Sequence, residues 1–323
     1  MDILNKEAWE QKALIKAGAL SVQELMQETL ARIKTVNPMV NALVDLLNEE
    51  DCVNLTSENY ALERSLGGMP MAIKDLANVK GFKTTEGSPL YSGRVAQKDD
   101  QMVARLRAAG ALFIGKTNTP EFGLGSNTFN PVYGKTKNPY DLSKTCGGSS
   151  GGAAVALATR MLSISDGSDM MGSLRNPAAW NNIYGLRPTW GLVPPEPTGE
   201  MFLSQLSTLG PMARSPKDLA MLLDVQANRI ENEAFISSAK TFSNFTEEPI
   251  MKGIKVGWLG DWSGALPFED GLLDLSQEAL NEMSSLGAII HDLKAPFAMN
   301  DIWTSWSDLR AWQISNGLNE IYE

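Results

Sequence analysis

The sequence has one histidine, His291, among 323 residues. Most serine hydrolases use a histidine as base, so this scarcity leaves few ways to activate a hydroxyl. There are two cysteines, Cys52 and Cys146, too few for a disulfide framework, and no group has the spacing of a metal site. Excess positive charge is missing: 28 Lys and Arg face 38 Asp and Glu, a formal charge of −10. That balance argues against nucleic acid or anionic lipid as a general partner. No apolar run approaches membrane length, and Met-Asp-Ile-Leu-Asn-Lys-Glu is not a signal peptide. A cytoplasmic protein with no cofactor and no metal is the default expectation. The length suits one large domain or two small ones.

What the chain does have is a concentration of glycine and serine. One burst, Gly147-Gly148-Ser149-Ser150-Gly151-Gly152, and a second, Asp166-Gly167-Ser168-Asp169-Met170-Met171-Gly172-Ser173, flank an apolar run from Ala153 to Ala158. Glycines let backbone N–H groups line a site, and serine hydroxyls would stand beside that cradle. A serine needs a base before it attacks. Two bases compete. Gly147-Gly148-Ser149-Ser150-Gly151 fits a loose nucleophile-elbow pattern with His291 downstream, but His291 follows Ala288-Ile289-Ile290 and suits the end of a surface strand. Lys74 follows the apolar run Met69-Pro70-Met71-Ala72-Ile73. It is either a strand end pointing to water or a buried, neutral amine.

The pattern alternates helices and strands. A helix is expected over 5–17. Ser21 with Glu24 opens a second through a capping box. Strand character runs over Asn41–Leu47, a short helix over Glu58–Ser65, and a buried strand over Met69–Lys74. Asp99-Asp100 cap a helix that Gly110 stops, and a strand over Ala111–Ile114 leaves Lys116 at its end. Asn127 to Lys144 reads as a long loop. A small-residue helix spans Gly152–Arg160, a strand Leu162–Ser165, and a helix starts at Leu174 with Pro177 in its first turn. Ser215-Pro216 opens another helix. Asn228–Glu248 reads as a surface excursion. Gly253–Leu259, Leu272–Leu286 and Ala288–His291 form a β-α-β unit that would extend the sheet. Asp301–Tyr322 is helical, and its Trp303, Trp306, Leu309 and Trp312 have the spacing of core residues. No G-x-G-x-x-G follows the Ile254-Lys255-Val256 strand, so a dinucleotide site is unsupported.

The block Gly147 to Pro177, with Gly-Gly-Ser-Ser-Gly-Gly, a spacer and Gly-x-Asp-x-x-Gly-Ser-Leu-Arg-x-Pro, resembles the signature of the amidase signature family. Ile73-Lys74-Asp75 resembles its lysine segment, and Gly115-Lys116-Thr117-Asn118-Thr119-Pro120-Glu121 its Gly-Lys-Thr-Asn segment. The likeness runs from about Ser21 to about Asp224. It implies an α/β fold: a single large open mixed sheet covered by helices on both faces. It implies one domain over 1–323, with an N-terminal helical region at 1–65, a catalytic core at 66–227 and a variable part at 228–323. Family members usually continue beyond that point, so a short or C-terminally truncated member is expected.

The resemblance further implies a Ser–cis-Ser–Lys triad: Ser173 as nucleophile, Ser149 as bridge after a cis Gly148–Ser149 bond, and Lys74 as base. Backbone N–H groups of Met170, Met171, Gly172 and Ser173 would form the oxyanion hole, with Ser150, Ser168, Asp169 and Arg175 in support. Asp169 and Arg175 are expected to pair and lock the turn, and Lys116 to be structural. Met171 stands where the family prefers a small residue, which reads as a narrowed pocket. The implied activity is hydrolysis of a carboxylic amide on a small molecule. Two other readings stay open: a glutamyl-tRNA(Gln) amidotransferase A-like subunit, disfavoured by Asn176 where Gln is expected, and a scaffold without turnover. A homodimer is an assembly that the resemblance leaves open.

Overall fold

The computed structural model describes residues 3–57, 62–197, 202–227, 241–244 and 251–322. Chain contacts divide it into two units, Met1–Ser243 and Asn244–Glu323.

The first unit begins with α1 (Ala8–Lys16) and α2 (Val22–Val40). Ser21 caps α2 through the predicted box: its side chain accepts from the Glu24 N–H, and Glu24 reaches back to the Ser21 N–H. Next come β1 (Leu43–Val44), α3 (Glu49–Leu55), β2 (Pro70–Lys74), α4 (Gln101–Ala108) and β3 (Leu112–Thr117). A short ladder of β4 (Phe129–Asn130) and β5 (Gly134–Lys135) lies within the long loop. The chain continues with α5 (Gly151–Ala158), β6 (Ile164–Asp169), α6 (Arg175–Trp180), β7 (Tyr184–Gly185), β8 (Thr208–Ala213) and α7 (Pro216–Gln226).

Two hydrogen-bonded sheets result, ordered β1-β3-β2 and β6-β8-β7. β2 and β3 are parallel, and the other pairs in these sheets are antiparallel. Side chains alternate between the two faces of a strand, and here each face has its own core. Met71, Ile73, Phe113, Ile164 and Ala213 pack with Ala8 and Ile15 of α1, Met102 and Leu106 of α4, and Leu222 and Leu223 of α7. Ala72, Leu112, Ile114 and Met212 pack on the opposite side with Met26 and Ile33 of α2, Ala153 to Leu157 of α5, and Ala178 of α6. Helices therefore cover both faces, as a sheet of buried strands requires.

The two sheets meet where β2 lies beside β6. Side chains make the joint there. Asp166 Oδ1 accepts the Lys74 backbone N–H at 3.0 Å, and Ser165 Oγ donates to the Ala72 carbonyl at 3.4 Å.

Several local expectations change. The strand expected over Asn41–Leu47 contracts to Leu43–Val44. Of the helix expected over Glu58–Ser65, residues 58–61 lie outside the described residues and 62–65 form turns. β3 runs on through Thr117, so Lys116 sits inside the strand. The second glycine–serine burst begins as strand β6, because pairing with β8 sets Gly167 opposite Gly210 and overrides glycine's weak strand preference. The excursion over Asn228–Glu248 lies outside the described residues except for 241–244.

The second unit holds β9 (Lys255–Trp258), α8 (Leu272–Ser285), β10 (Ile289–Asp292) and α9 (Met299–Tyr322). β9 and β10 are parallel, as the β-α-β reading requires. Among the described residues they pair only with each other and extend no larger sheet. α9 corrects another expectation: none of its residues is buried, and Trp303 is 55% exposed. A helical stripe becomes core only where a second layer covers it. No helix among the described residues is long and apolar enough to cross a membrane.

Candidate active site

Lys74 is the last residue of β2 and is buried. Its Nζ lies 2.6 Å from Ser149 Oγ, 2.9 Å from Ser150 Oγ and 2.9 Å from Ser168 Oγ. Burial holds this amine down at about 7 from an ordinary 10.5, against the opposing pull of Asp166 and Asp169. A neutral amine has two N–H donors and one lone pair. Each of the three hydroxyls can accept from the amine, and each can also donate to its lone pair when it is neutral.

A turn delivers Ser149 and Ser150, β6 itself carries Ser168, and a second turn carries Ser173. The first leads into α5, and its Gly148–Ser149 peptide is cis, as the motif position implied. Thr128 braces it: its hydroxyl donates to the Gly147 carbonyl at 2.9 Å and accepts the Gly151 N–H at 3.1 Å. Ser149 and Ser150 thereby lie at the N-terminal end of α5, where the helix field is positive and the first N–H groups bond outside the helix, Gly151 to Thr128 and Gly152 to the Asn118 carbonyl.

The second turn follows β6 and is built around Asp169. Its carboxylate accepts the Gly172 N–H at 2.7 Å and the Leu174 N–H at 3.2 Å. Arg175 donates to both oxygens at 3.0 Å, and Arg187 lies 3.5 Å away. These partners hold Asp169 below the usual carboxylate range despite its burial. Gly172 takes φ +105°, a conformation that favours glycine and spares Met171 from adopting it. Met171 is half-exposed.

The oxyanion-hole expectation is modified at one position. The Gly172 N–H is already engaged by Asp169. Among the described residues, the N–H groups of Met170, Met171 and Ser173 make no hydrogen bond. The Ser173 carbonyl accepts the Ser150 N–H at 3.2 Å, which sets the two serine turns side by side. Ser173 Oγ makes no hydrogen bond to Ser149 Oγ in this arrangement.

Lys116 is fully buried. It lies 3.3 Å from Asp75 and donates to the Ala77 carbonyl at 2.7 Å, so its partners are internal. His291 is exposed on β10 of the second unit. No cluster of metal-ligating side chains occurs among the described residues. Two residues of the site have little signal in the sequence. Thr128 carries no motif. Asp166 lies in the second burst without distinction, and an acid inside an otherwise buried strand is the available clue.

The Amidase family model matches residues 24–311. The chain belongs to the amidase family. Curated relatives include the glutamyl-tRNA(Gln) amidotransferase A-subunit of Lactobacillus gasseri, 33% identical over 304 residues, 92% of this chain and 61% of that protein. The protein of the same name from Nitrosomonas europaea is 36% identical over 301 residues, covering 91% of this chain and 61% of the relative. The chain thus spans about 61% of the length of these family members. Among solved structures, 6-aminohexanoate cyclic dimer hydrolase complexed with substrate superimposes with a TM-score of 0.82 at 29% identity, over 91% of this chain and 61% of that one. A bacterial aryl acylamidase of the amidase signature family gives 0.86 at 25% identity, covering 98% and 67%. The fold of this chain is therefore that of the amidase signature enzymes.

Proposed function

We propose that this chain is an amidase that hydrolyses a carboxylic amide through an acyl-enzyme on Ser173, with catalysis assigned to residues 66–227. The observation that carries the reading is the 2.6 Å approach of a buried Lys74 Nζ to Ser149 Oγ. Above about pH 7 the amine is neutral and accepts a proton from Ser149. Ser149 in turn accepts one from Ser173 when substrate brings the two hydroxyls within hydrogen-bond distance. Ser173 Oγ attacks the amide carbonyl, and the N–H groups of Met170, Met171 and Ser173 stabilise the oxyanion. Ser149 returns the proton to the departing amine, and water releases the acyl group. Ser150 and Ser168 steady the lysine between proton transfers, and the Asp169–Arg175 pair holds the Ser173 turn. Met171 narrows the entrance to that turn.

The test uses a fluorophosphonate, which labels an activated serine, together with a nitroanilide panel. Wild type should label at Ser173, Ser173→Ala should neither label nor turn over, and Lys74→Met should lose activity by orders of magnitude. Full turnover in both variants removes the reading.

A second reading has its own support. The curated relatives described above are amidotransferase A-subunits, so glutamine could be the amide and other subunits the partners. Co-purification of partner proteins from the native host would favour it; Asn176 beside Arg175 counts against it.

A further inference from the structure

The proposed relay leaves a buried acid beside its lysine unused. Asp166 is 1% exposed, in the middle of β6, with no role in the proton path. Its Oδ1 accepts the backbone N–H of Lys74 at 3.0 Å. Ser168, two residues on along the same strand, takes the Nζ of that lysine at 2.9 Å. Residues two apart share one face of a strand. One face of β6 therefore holds the lysine at both ends, backbone and amine. The ladder does not cross here: β2 pairs with β3 and β6 with β8, and the side chains of Asp166 and Ser165 join the sheets.

We propose that Asp166 is a positioning residue of the amidase site, its carboxylate fixing Lys74 across the joint between the sheets and its negative charge setting which protonation state the amine holds. The inference rests on the amidase reading for its catalytic consequence, but its electrostatic half stands on the cluster itself.

The charged neighbours are few. The residue after β2 is Asp75, β3 contributes Lys116, and β6 contributes Asp166 and Asp169. α5, packed against these strands, carries no ionisable side chain from Gly151 to Ala158. Asp75 lies 3.3 Å from Lys116, and Asp169 is bonded to Arg175, so each already has a cation. Among the described residues Asp166 has no ion pair of its own, and Lys74 and Lys116 are the cations that act on it. Burial pushes Asp166 up to about 6, which leaves it anionic where Lys74 loses its proton at about 7. An anion there favours the ammonium and offsets part of the desolvation that favours the amine. The balance places the base near neutral pH, where a general base works best.

Asparagine keeps an oxygen for the Lys74 N–H and removes the charge, whereas alanine removes both. The full chain is prepared with lysine labelled with carbon-13 at Cε, and the Lys74 resonance is identified by its loss in Lys74→Met. In Asp166→Asn its titration midpoint should fall by about one pH unit. The pH at which fluorophosphonate labelling of Ser173 reaches half its maximal rate should fall with it. In Asp166→Ala the maximal labelling rate should drop roughly ten- to a hundredfold, as for a displaced base, and Asp166→Asn should restore it. A Lys74 midpoint in Asp166→Asn that stays in place or rises overturns the proposal. So does an Asp166→Ala protein that labels at the wild-type rate. If Asp166→Ala does not fold, the asparagine variant decides alone. If wild type is never labelled, the amidase reading falls while the resonance midpoint still judges Asp166.

Discussion

Replacing Lys74 with methionine tests the burial of the amine through stability alone. Methionine has similar length and no charge. In the folded protein the amine is held at about 7, against 10.5 for an ordinary lysine. At about 1.4 kcal/mol per pH unit, that span is worth about 5 kcal/mol. The sign follows from proton counting. Between about pH 7 and 10.5 the unfolded chain binds more protons at this site than the folded one, so stability rises with pH across that window. It is lost as pH falls toward about 7, and below that the full penalty is present. Lys74→Met removes this dependence. The variant also leaves the hydroxyls of Ser149, Ser150 and Ser168 without the lysine, a cost of about 1 kcal/mol each. Serine does not titrate in this range, so that cost is constant with pH. Titrating groups away from Lys74 cancel between the two proteins, and Asp166, on which Lys74 acts, titrates at about 6, below the pH range of the series. Urea unfolding at pH 7, 8 and 9 should show the stability of wild type minus that of Lys74→Met rising by about 2 kcal/mol across the series. A difference that stays flat or declines with pH would mean the amine is not desolvated as described, and the neutral-base mechanism would go with it.

Two further outcomes follow from the same site. Asp169→Ala removes the acceptor for two backbone N–H groups and Arg175; it should lower stability by about 3 kcal/mol and suppress labelling of Ser173, and a variant that melts and labels like wild type would contradict the role of this turn. Gly152→Ala places a methyl group against the Asn118 backbone nitrogen and 2.6 Å from the Ala42 carbonyl oxygen. Because backbone cannot yield as a side chain does, it should cost about 2 kcal/mol, read as a lower melting temperature, and an unchanged melt would refute the close packing of α5 on β1 and β3.

Much of this site is visible along the chain. Ser21 with Glu24, and Ser215 with Pro216, mark helix starts because caps act within one turn of chain. The apolar run before Lys74 marks a buried strand, and the glycine–serine bursts mark the two turns that carry the serines. Other features have no local signature. The reach of β3 through Lys116 depends on pairing with β1 and β2, and the strand character of Asp166 to Asp169 depends on β8. The stripe of Trp303 and Trp312 has the look of core because spacing reports one helix face and says nothing of what lies opposite.

Taken by itself, the sequence determined the family, the alternation of helices and strands, and the candidate lysine and serines, since each rests on neighbours within a few residues or on a contiguous motif. Tertiary structure alone decided that Lys74 is out of water, that hydroxyls from positions 149, 150 and 168 converge on its amine, and that Asp166 joins two sheets beside it. Those contacts span 75 to 94 positions of chain. Desolvation and charge act through space, so the protonation state of the base is a property of the assembled sheets.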